Sequence, residues 1–547
     1  MMACCGRKFV KVTKFLLAGV TIFCVSWIVS VNEWHSEVHW GDVVSSRASG
    51  VSTMRTIVAY SEGKQAELDR PSPVTCDRLP SFPIIKSVNR TWSPGSVDES
   101  QWQRVAGRRV SLYAAYYDER TPQHYVRILA TFHGRNFSLK EPLYCQTRPL
   151  SPYENTIEVV AAKLFEIWWH EWDPSSKEVE TPLLLSCPLT EPLTGAYVVS
   201  IVNQPCDDPT NAFTMYPSRT PYNYKRTFTI CVKDMNFDKD ISRELVEWIE
   251  INKILGVDLI DVYVDRIDRT SEKVLEYYRK RDFVRIFKAP IKHRADASLW
   301  QRRRDHIITY NDCLYRNIGE SEYIVPLDID EVIVPKIALT WAELLTRLKR
   351  YGWNSSERMG ILIQNVFFFD FIQNINRYRK NKFHTNKSKV YVKRDDVRIA
   401  YKRNLDQNDV DVEDSRHILD NEVVGADELY KKYLARCGSV LPEPKLVRNI
   451  MRSTMVSPVG HYSKSMMVTK KVLAAFNHYP LASLSAGTSG FIGWPAPLKE
   501  VQLNHYKESC NTTVMEECAL YGRRAQLDIT ALRLRARLHA ALASTFC

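Results

Sequence analysis

The stretch YIVPLDIDEVIVP, residues 323–335, sets three carboxylates, Asp328, Asp330 and Glu331, at the end of an apolar, β-branched run. The run reads as a strand with its exit, and on an alternating strand Asp328 and Asp330 point the same way while Ile329 points the other. Pro326 inside it argues against a central place in a sheet, because proline removes a ladder donor. Three carboxylates within four residues repel one another and need a cation or a proton to offset them. A hard divalent ion such as Mn2+ or Mg2+ is the natural counter-charge, and it leaves room for substrate phosphates.

Working backward, the preceding hundred residues alternate. FTICVK (228–233), DLIDVYVD (258–265) and VRIFKAP (284–290) read as strands. RELVEWIEINKIL, SEKVLEYYRKR and LWQRRRDHIITYNDCLYRNIG read as the helices between them and the acidic strand. Ser242 is the expected N-cap of the first helix, with Leu245, Trp248, Ile249 and Leu255 on one face and Gly256 at its end. Four strands alternating with three helices signal an α/β domain with a parallel sheet, in which ligands bind at the carboxyl ends of the strands.

Further upstream, VSLYAAYYD, YVRILATFH and GAYVVSIVN are strand-like, and TIEVVAAKLFEIWWHEW reads as a helix or a long strand. Residues 102–222 are therefore expected to form a β-rich accessory domain. Residues 32–101, rich in Ser, Pro and charge, read as a stem. Before it, FLLAGVTIFCVSWIVSV (15–31) is uncharged and follows Arg7, Lys8, Lys11 and Lys14. This predicts a transmembrane signal anchor after a cytosolic tail (1–14), with everything downstream lumenal. A cleaved secretory signal is the alternative reading.

Two features suit a lumenal address. Sequons lie at Asn89, Asn136, Asn354, Asn386 and Asn511, all beyond the anchor. Of 13 cysteines, Cys4 and Cys5 would be cytosolic, open to acylation or simply free thiols, and Cys24 would lie in the membrane. The other cysteines suit disulfides, with Cys510–Cys518 or Cys187–Cys206 as candidate pairs, and none has zinc-ribbon spacing. With 547 residues, 75 Lys+Arg and 63 Asp+Glu, the chain carries a formal charge of +12, which favours anionic partners. A lumenal address removes nucleic acid from that class. Lipid headgroups and phosphorylated small molecules remain, and in a lumenal α/β domain the aspartate pair suggests a nucleotide sugar, for which a metal on that pair would take up charge on the leaving diphosphate.

Downstream, GILIQNVFFFDFI, VLAAFNHYPL and VQLNHYK read as strands, and 395–427 as an insertion or loop. The tail 523–547 has helical composition, with Leu534, Leu538 and Leu542 stacked at four-residue spacing. The run Arg302, Arg303, Arg304 reads first as a solvated helix face and second as a ligand surface.

Taken in order, ICVKDMN, ELVEWIEINKILGVDLIDVYVD, NDCLYRNIGESEYIVPLDIDEVIVP, KSMMVTKKVLAAFNHYPL and VQLNHYK resemble glycosyltransferase family 92, over roughly residues 111–518. The resemblance implies a GT-A (Rossmann-like) α/β catalytic domain at 223–522. It also implies a type II Golgi membrane protein, a UDP-galactose donor, Mn2+ (or Mg2+), inversion, and a β1,4 linkage to galactose or fucose of a glycoprotein glycan. By position, Asp328 and Asp330 match the metal and donor motif and Glu331 its acidic neighbour. His505 is the expected late metal ligand, with His478 second. Lys233 and Asp265 are expected near the nucleotide, and Glu331, Asp370 and Glu500 are the candidate general bases. Lys507 replaces the usual arginine after His-Tyr. A non-catalytic lumenal glycan-binding protein is the alternative. An aspartate-nucleophile phosphatase is a lesser one, since the only Gly-Asp, Gly41-Asp42, lies far upstream of the motif.

Overall fold

The computed structural model describes residues 76–546 apart from 77, 87, 93–100, 136–141, 152, 154–155, 169–178, 218–223, 293–297, 374–434, 436–442, 485–492 and 510–517. The expected tail, anchor and most of the stem lie outside the described residues, as does the expected insertion at 395–427. Among the described residues no helix is long and apolar enough to cross a membrane.

Nine strands come first: β1 (Gln103–Arg104), β2 (Val110–Asp118), β3 (Tyr125–His133), β4 (Tyr144–Pro149), β5 (Glu158–Ala161), β6 (Lys163–Glu166), β7 (Glu180–Pro188), β8 (Tyr197–Val202) and β9 (Phe213–Met215). They form two antiparallel sheets, β1-β2-β3-β7-β6 and β5-β4-β8-β9. On β3, Val126, Ile128 and Ala130 face a core shared with the second sheet, whereas Leu129 faces the other way into a different core. On β7, Leu183 and Leu185 face the shared core and Leu184 faces the other. The first sheet is thus buried on both sides, and residues 180–188 lack a polar stripe because neither face meets water. The segment read as a helix or one long strand is instead β5 and β6, which belong to different sheets. The chain crosses between them at Ala162, whose N–H donates to Leu143.

The expected Cys187–Cys206 pair does not form. Cys187 points into the core between the sheets and meets Cys145 there, while Cys206 reaches Cys76. A third disulfide joins Cys231 to Cys313, and Cys518 is also disulfide-bonded. Cys510 lies outside the described residues.

The next elements are β10 (Arg226–Phe237), α1 (Ser242–Ile254), β11 (Leu259–Ile267), α2 (Arg269–Arg279), β12 (Val284–Lys288), α3 (Leu299–Asn317) and β13 (Ser321–Pro326). The four strands pair parallel in the order β12-β11-β10-β13. This is the mixed α/β arrangement the alternation implied. The N-cap of α1 is Ile241 rather than Ser242, which is the first helical residue. Its partner is Ser271, whose hydroxyl accepts the Ile241 N–H. Gly256 follows at φ +90°, where a side chain would be strained.

The acidic stretch is not one strand. β13 stops at Pro326, residues 327–330 turn, and β14 (Glu331–Pro335) starts in another sheet. Asp328 and Asp330 therefore sit on a bend, and strand alternation does not orient them. Nor does Pro326 move β13 to an edge, because β13 lies between β10 and an antiparallel neighbour. Proline is tolerated at its end because pairing with that neighbour stops at Ile324.

Beyond α4 (Trp341–Lys349) come β15 (Gly360–Ile363), β16 (Asn365–Phe369), β17 (Met451–Ser453), β18 (Lys464–Val468), β19 (Val472–Ala475), β20 (Pro480–Ser483), β21 (Trp494–Pro495), β22 (Val501–Lys507) and β23 (Ala525–Leu527). β18, β15 and β21 extend the parallel sheet, and β14-β22-β16 form a second sheet beside it. The tail ends in α5 (Arg535–Phe546), and Leu534, Leu538 and Leu542 are buried in the same core as Leu245 and Trp248 of α1.

One ion-pair group ties the β-rich region to the α/β region. The buried Asp118 carboxylate accepts from Arg120 Nε at 2.7 Å and Arg127 Nε at 3.0 Å, and Arg120 Nη1 reaches the carbonyls of Thr469 (2.5 Å) and Val472 (2.7 Å). Burial works against the charge on Asp118, but the two guanidiniums outweigh it and hold its carboxyl well below the usual range. Asp118→Asn should lower unfolding free energy by about 3 kcal/mol, since both buried arginines lose their anion. Because the folded-state pKa is depressed, this contribution is complete above the unfolded value of about 4 and shrinks as pH falls below it. Denaturant titrations of wild type and variant at pH 7 and pH 3 check both statements. A pH-independent gap would contradict the assignment.

Candidate active site

The order β12-β11-β10-β13 has a switch point. The chain leaves β10 toward β11 on one side, and the last strand of the series, β13, docks on the other. In open α/β sheets the crevice at such a point, outside the carboxyl ends, receives the ligand. Here it lies between Lys233 near the end of β10 and Asp328 just past β13.

Three elements close on the bend. Lys233 Nζ lies 3.0 Å from Asp328 Oδ2. Lys464, which opens β18 and is almost fully buried, places its Nζ 3.3 Å from Asp328 Oδ2 and 3.1 Å from Glu331 Oε2. In the second sheet the register sets Glu331 opposite His505 and His505 opposite Phe367. His505 Nε2 then lies 3.2 Å from Asp330 Oδ2, and its Nδ1 lies 3.4 Å from Glu331 Oε1 and 3.0 Å from Asn365 Nδ2. The bend itself is pinned, since Glu331 Oε2 accepts the Asp328 N–H at 3.0 Å and Trp248 Nε1 of α1 donates to the Glu331 carbonyl at 2.8 Å.

Much of the counter-charge that the acidic triad requires is therefore built into the chain. Burial disfavours the charge on Asp328, but Lys233 and Lys464 hold its carboxyl well below the usual range. His505 likewise outweighs burial at Asp330 and lowers it. Glu331 goes the other way: burial, with Asp328 and Asp330 nearby, raises it against Lys464 and His505. The Asp330 side chain is 46% exposed, against 19% for Asp328, so Asp330 is the carboxylate turned most to solvent.

Among the described residues no three or more His, Cys, Asp and Glu side chains are gathered as a metal-binding group. Two donors do meet, Asp330 Oδ2 and His505 Nε2, and the buried Asp328 Oδ1 accepts no hydrogen bond. One or two carboxylates completed by substrate phosphates are what Mg2+-like ions accept, so these residues fit a cation that the substrate helps to hold.

The other sequence-derived candidates lie elsewhere in the contact network. Asp265 pairs with Arg302 (3.4 Å), and Arg302 and His306, one turn apart on α3, both contact Asp234. The arginine run is not a solvated face. Arg304 is fully buried over the Trp168 ring, 4.7 Å from its centroid, because the β-rich region covers α3 there, and Arg303 lies over Trp300 of the same helix. Glu500 is buried in a two-point pair with Arg347 and also accepts from Tyr351. Asp370 is held by Lys445 and Asn449. His478 does not touch the acidic residues. It follows Asn477, whose Oδ1 accepts from Lys464 Nζ at 2.5 Å.

Lys464, Asn365 and Asn477 were not singled out from sequence. Lys464 opens an apolar strand, KSMMV, and a lysine at a strand mouth is the one signal that could have flagged it. A cleft of about 620 Å³ between residues 119–124, Tyr224 and Lys470 holds none of these groups.

A family model described as glycosyltransferase family 92 matches residues 226–532, more than half of the chain. A stretch of 191 residues is 26% identical to the β-1,4-galactosyltransferase galt-1 of Caenorhabditis elegans, covering 33% of this chain and 44% of that protein. The chain thus spans less than half the length of the curated relative it matches. Among solved structures, ferredoxin-NADP+ reductase from Plasmodium falciparum aligns at 12% identity over 39% of this chain and 84% of that one, with a TM-score of 0.12, too low to bear on the fold. By the extent and position of the family match, which spans β10 through Leu532 and includes the whole acidic bend, this chain belongs to glycosyltransferase family 92.

Proposed function

We propose that the chain is a metal-dependent, inverting glycosyltransferase of GT-A type that transfers galactose from UDP-galactose, in β1,4 linkage, to galactose or fucose of a glycoprotein glycan. The observation that carries this reading is the convergence of Asp328, Asp330, His505, Lys233 and Lys464 at the switch point of a parallel sheet. Family membership supports the reaction class, and the similarity to a β-1,4-galactosyltransferase supports the sugar and linkage. The basic-flanked apolar run at 15–31 supports an anchored, lumenal Golgi enzyme.

Asp330 and His505 would hold the cation, with Asp328 Oδ1, which accepts no hydrogen bond, as a further donor. Bound there, a divalent cation supplies positive charge for the two donor phosphates and for the diphosphate that leaves. The chain's own residues do the rest. Asn365 Nδ2 can only donate to Nδ1 of His505, so the neutral ring carries its proton on Nε2 toward Asp330, and that proton would have to leave for Nε2 to ligate. Lys233, partly exposed at the crevice, can turn from Asp328 to a donor phosphate, whereas the buried Lys464 keeps Asp328 in place. Asp370 pairs with Lys445 and Glu500 with Arg347, whereas Glu331, paired with Lys464, is the one of the three base candidates that stands in the cluster.

Full-length protein with Mn2+, UDP-galactose and a galactose- or fucose-terminated glycan should release UDP. EDTA or Asp330→Ala should cut the rate by about 100-fold or more with the fold retained by circular dichroism. Full activity in either would remove the metal role. Separately, Lys464→Met leaves Asp328 and Glu331 short of counter-charge and should lower unfolding free energy by about 3 kcal/mol. An unchanged denaturation midpoint would show that Lys464 does not balance the pair.

A further inference from the structure

Lys464 leads from the acidic bend to a second group of side chains. Asn477 accepts from Lys464 Nζ (2.5 Å) and from the Tyr310 hydroxyl (2.9 Å), which fixes the turn between β19 and β20. The next residue, His478, has Nδ1 2.8 Å from the Ser463 carbonyl. A carbonyl only accepts, so Nδ1 carries the proton and Nε2 keeps its lone pair. Nε2 lies 3.4 Å from Asn477 Nδ2, a long contact. Burial and the nearby Lys464 charge push the imidazole down to about 3, so the ring is neutral at physiological pH.

Two rings flank it. Tyr462 stands edge-on to His478 at 6.4 Å between centroids and Phe476 at 5.6 Å. Tyr462, Phe476, Asn477 and His478 are all half-buried, so this cluster is not closed core. Tyr462 also has a left-handed backbone, φ +52°, which is costly for an aromatic residue and persists only where its surroundings impose it. Its carbonyl reaches back to the site: Asn365 Nδ2 lies 3.1 Å from the Tyr462 carbonyl and 3.0 Å from His505 Nδ1. One amide thus contacts both Tyr462 of this lip and the histidine beside Asp330.

The chemistry of this lip differs from that of the crevice. Lys233 offers positive charge, which suits a diphosphate. The lip offers apolar ring surface and one neutral acceptor nitrogen, which suits an uncharged polyhydroxyl ligand with apolar faces. We infer that Tyr462, Phe476 and His478 form the subsite for the terminal sugar of the acceptor glycan, the rings packing on its apolar face and His478 Nε2 accepting a hydrogen bond from one of its hydroxyls. The inference rests on the glycosyltransferase reading above and assigns its second substrate to a place.

The test reads binding of a galactose-terminated oligosaccharide to the full-length protein with Mn2+ and UDP by ligand-observed NMR, and UDP affinity by calorimetry. Tyr462→Ala and His478→Ala should each weaken glycan binding by about tenfold or more, Tyr462→Phe should retain it, and UDP affinity should stay within about twofold. Unchanged glycan affinity in both alanine variants overturns the subsite. A parallel loss of UDP affinity also overturns it, because the residues would then act through the fold, and so does a wild-type protein that binds no glycan. Glycan binding that depends on these side chains in a protein that never transfers galactose would sustain the subsite and sink the galactosyltransferase reading alone.

Discussion

The chain changes sheets within four residues, between Pro326 and Glu331, and the arrangement of the site follows from that change. Had β13 simply continued, Asp328 and Asp330 would lie on one strand face with the same neighbours. Because it bends, Asp328 is left between Lys233 and Lys464 of the large sheet, while Glu331 starts a strand that pairs with His505 in the small one. A bend carrying three carboxylates would drift apart without restraint. It is held by the Asp328 N–H bond to the Glu331 carboxylate and by the indole of Trp248, so the first helix of the α/β unit helps to position a bend 83 residues later.

Electrostatics give the bend its second constraint. Unit charges about 4 Å apart interact by about 4 kcal/mol at an effective dielectric of 20, so three adjacent carboxylates without partners would be a large liability. Two buried or half-buried ammonium groups and an imidazole meet them directly. The consequence is a division of labour: Asp328 and Glu331 are largely neutralised from within, and Asp330, the most exposed, keeps an oxygen open to solvent beside a histidine. The need for counter-charge, read from sequence as a reason for a metal, is thus partly met by lysines. The case for a cation rests on the Asp330–His505 pair and the unpartnered Asp328 Oδ1 instead.

The β-rich region is part of the same machine. Its inner sheet contributes Tyr113, Leu129 and Leu184 to the core that also contains Ile307, Ile308 and Leu314 of α3, and Trp168 covers Arg304 on that helix. Covering α3 in this way buries Arg304, while Arg302 and His306 on the same helix contact Asp234, next to Lys233. Arg120 reaches the carbonyls of Thr469 and Val472 at the turn between β18 and β19, the strand pair that brings in Lys464 and leads to Asn477 and His478.

While His505 came from the family resemblance, local pattern was enough for the alternating helices and strands from Thr227 to Pro326, for the leucine stripe of the last helix, and for placing Asp328 and Asp330 among the residues of interest. These depend on period and on short motifs, which a chain carries along its length. The bend at 327–330, the crossing at Ala162, the Cys145–Cys187 bridge and the roles of Lys464, Asn365 and Asn477 were settled only by tertiary structure. Each depends on which distant strand arrives as a neighbour, and a period of two or of 3.6 holds no information about that. Lys464 lies 136 residues from Asp328 along the chain and 3.3 Å from it in space. Only the docking of an antiparallel strand on a parallel sheet converts the first distance into the second.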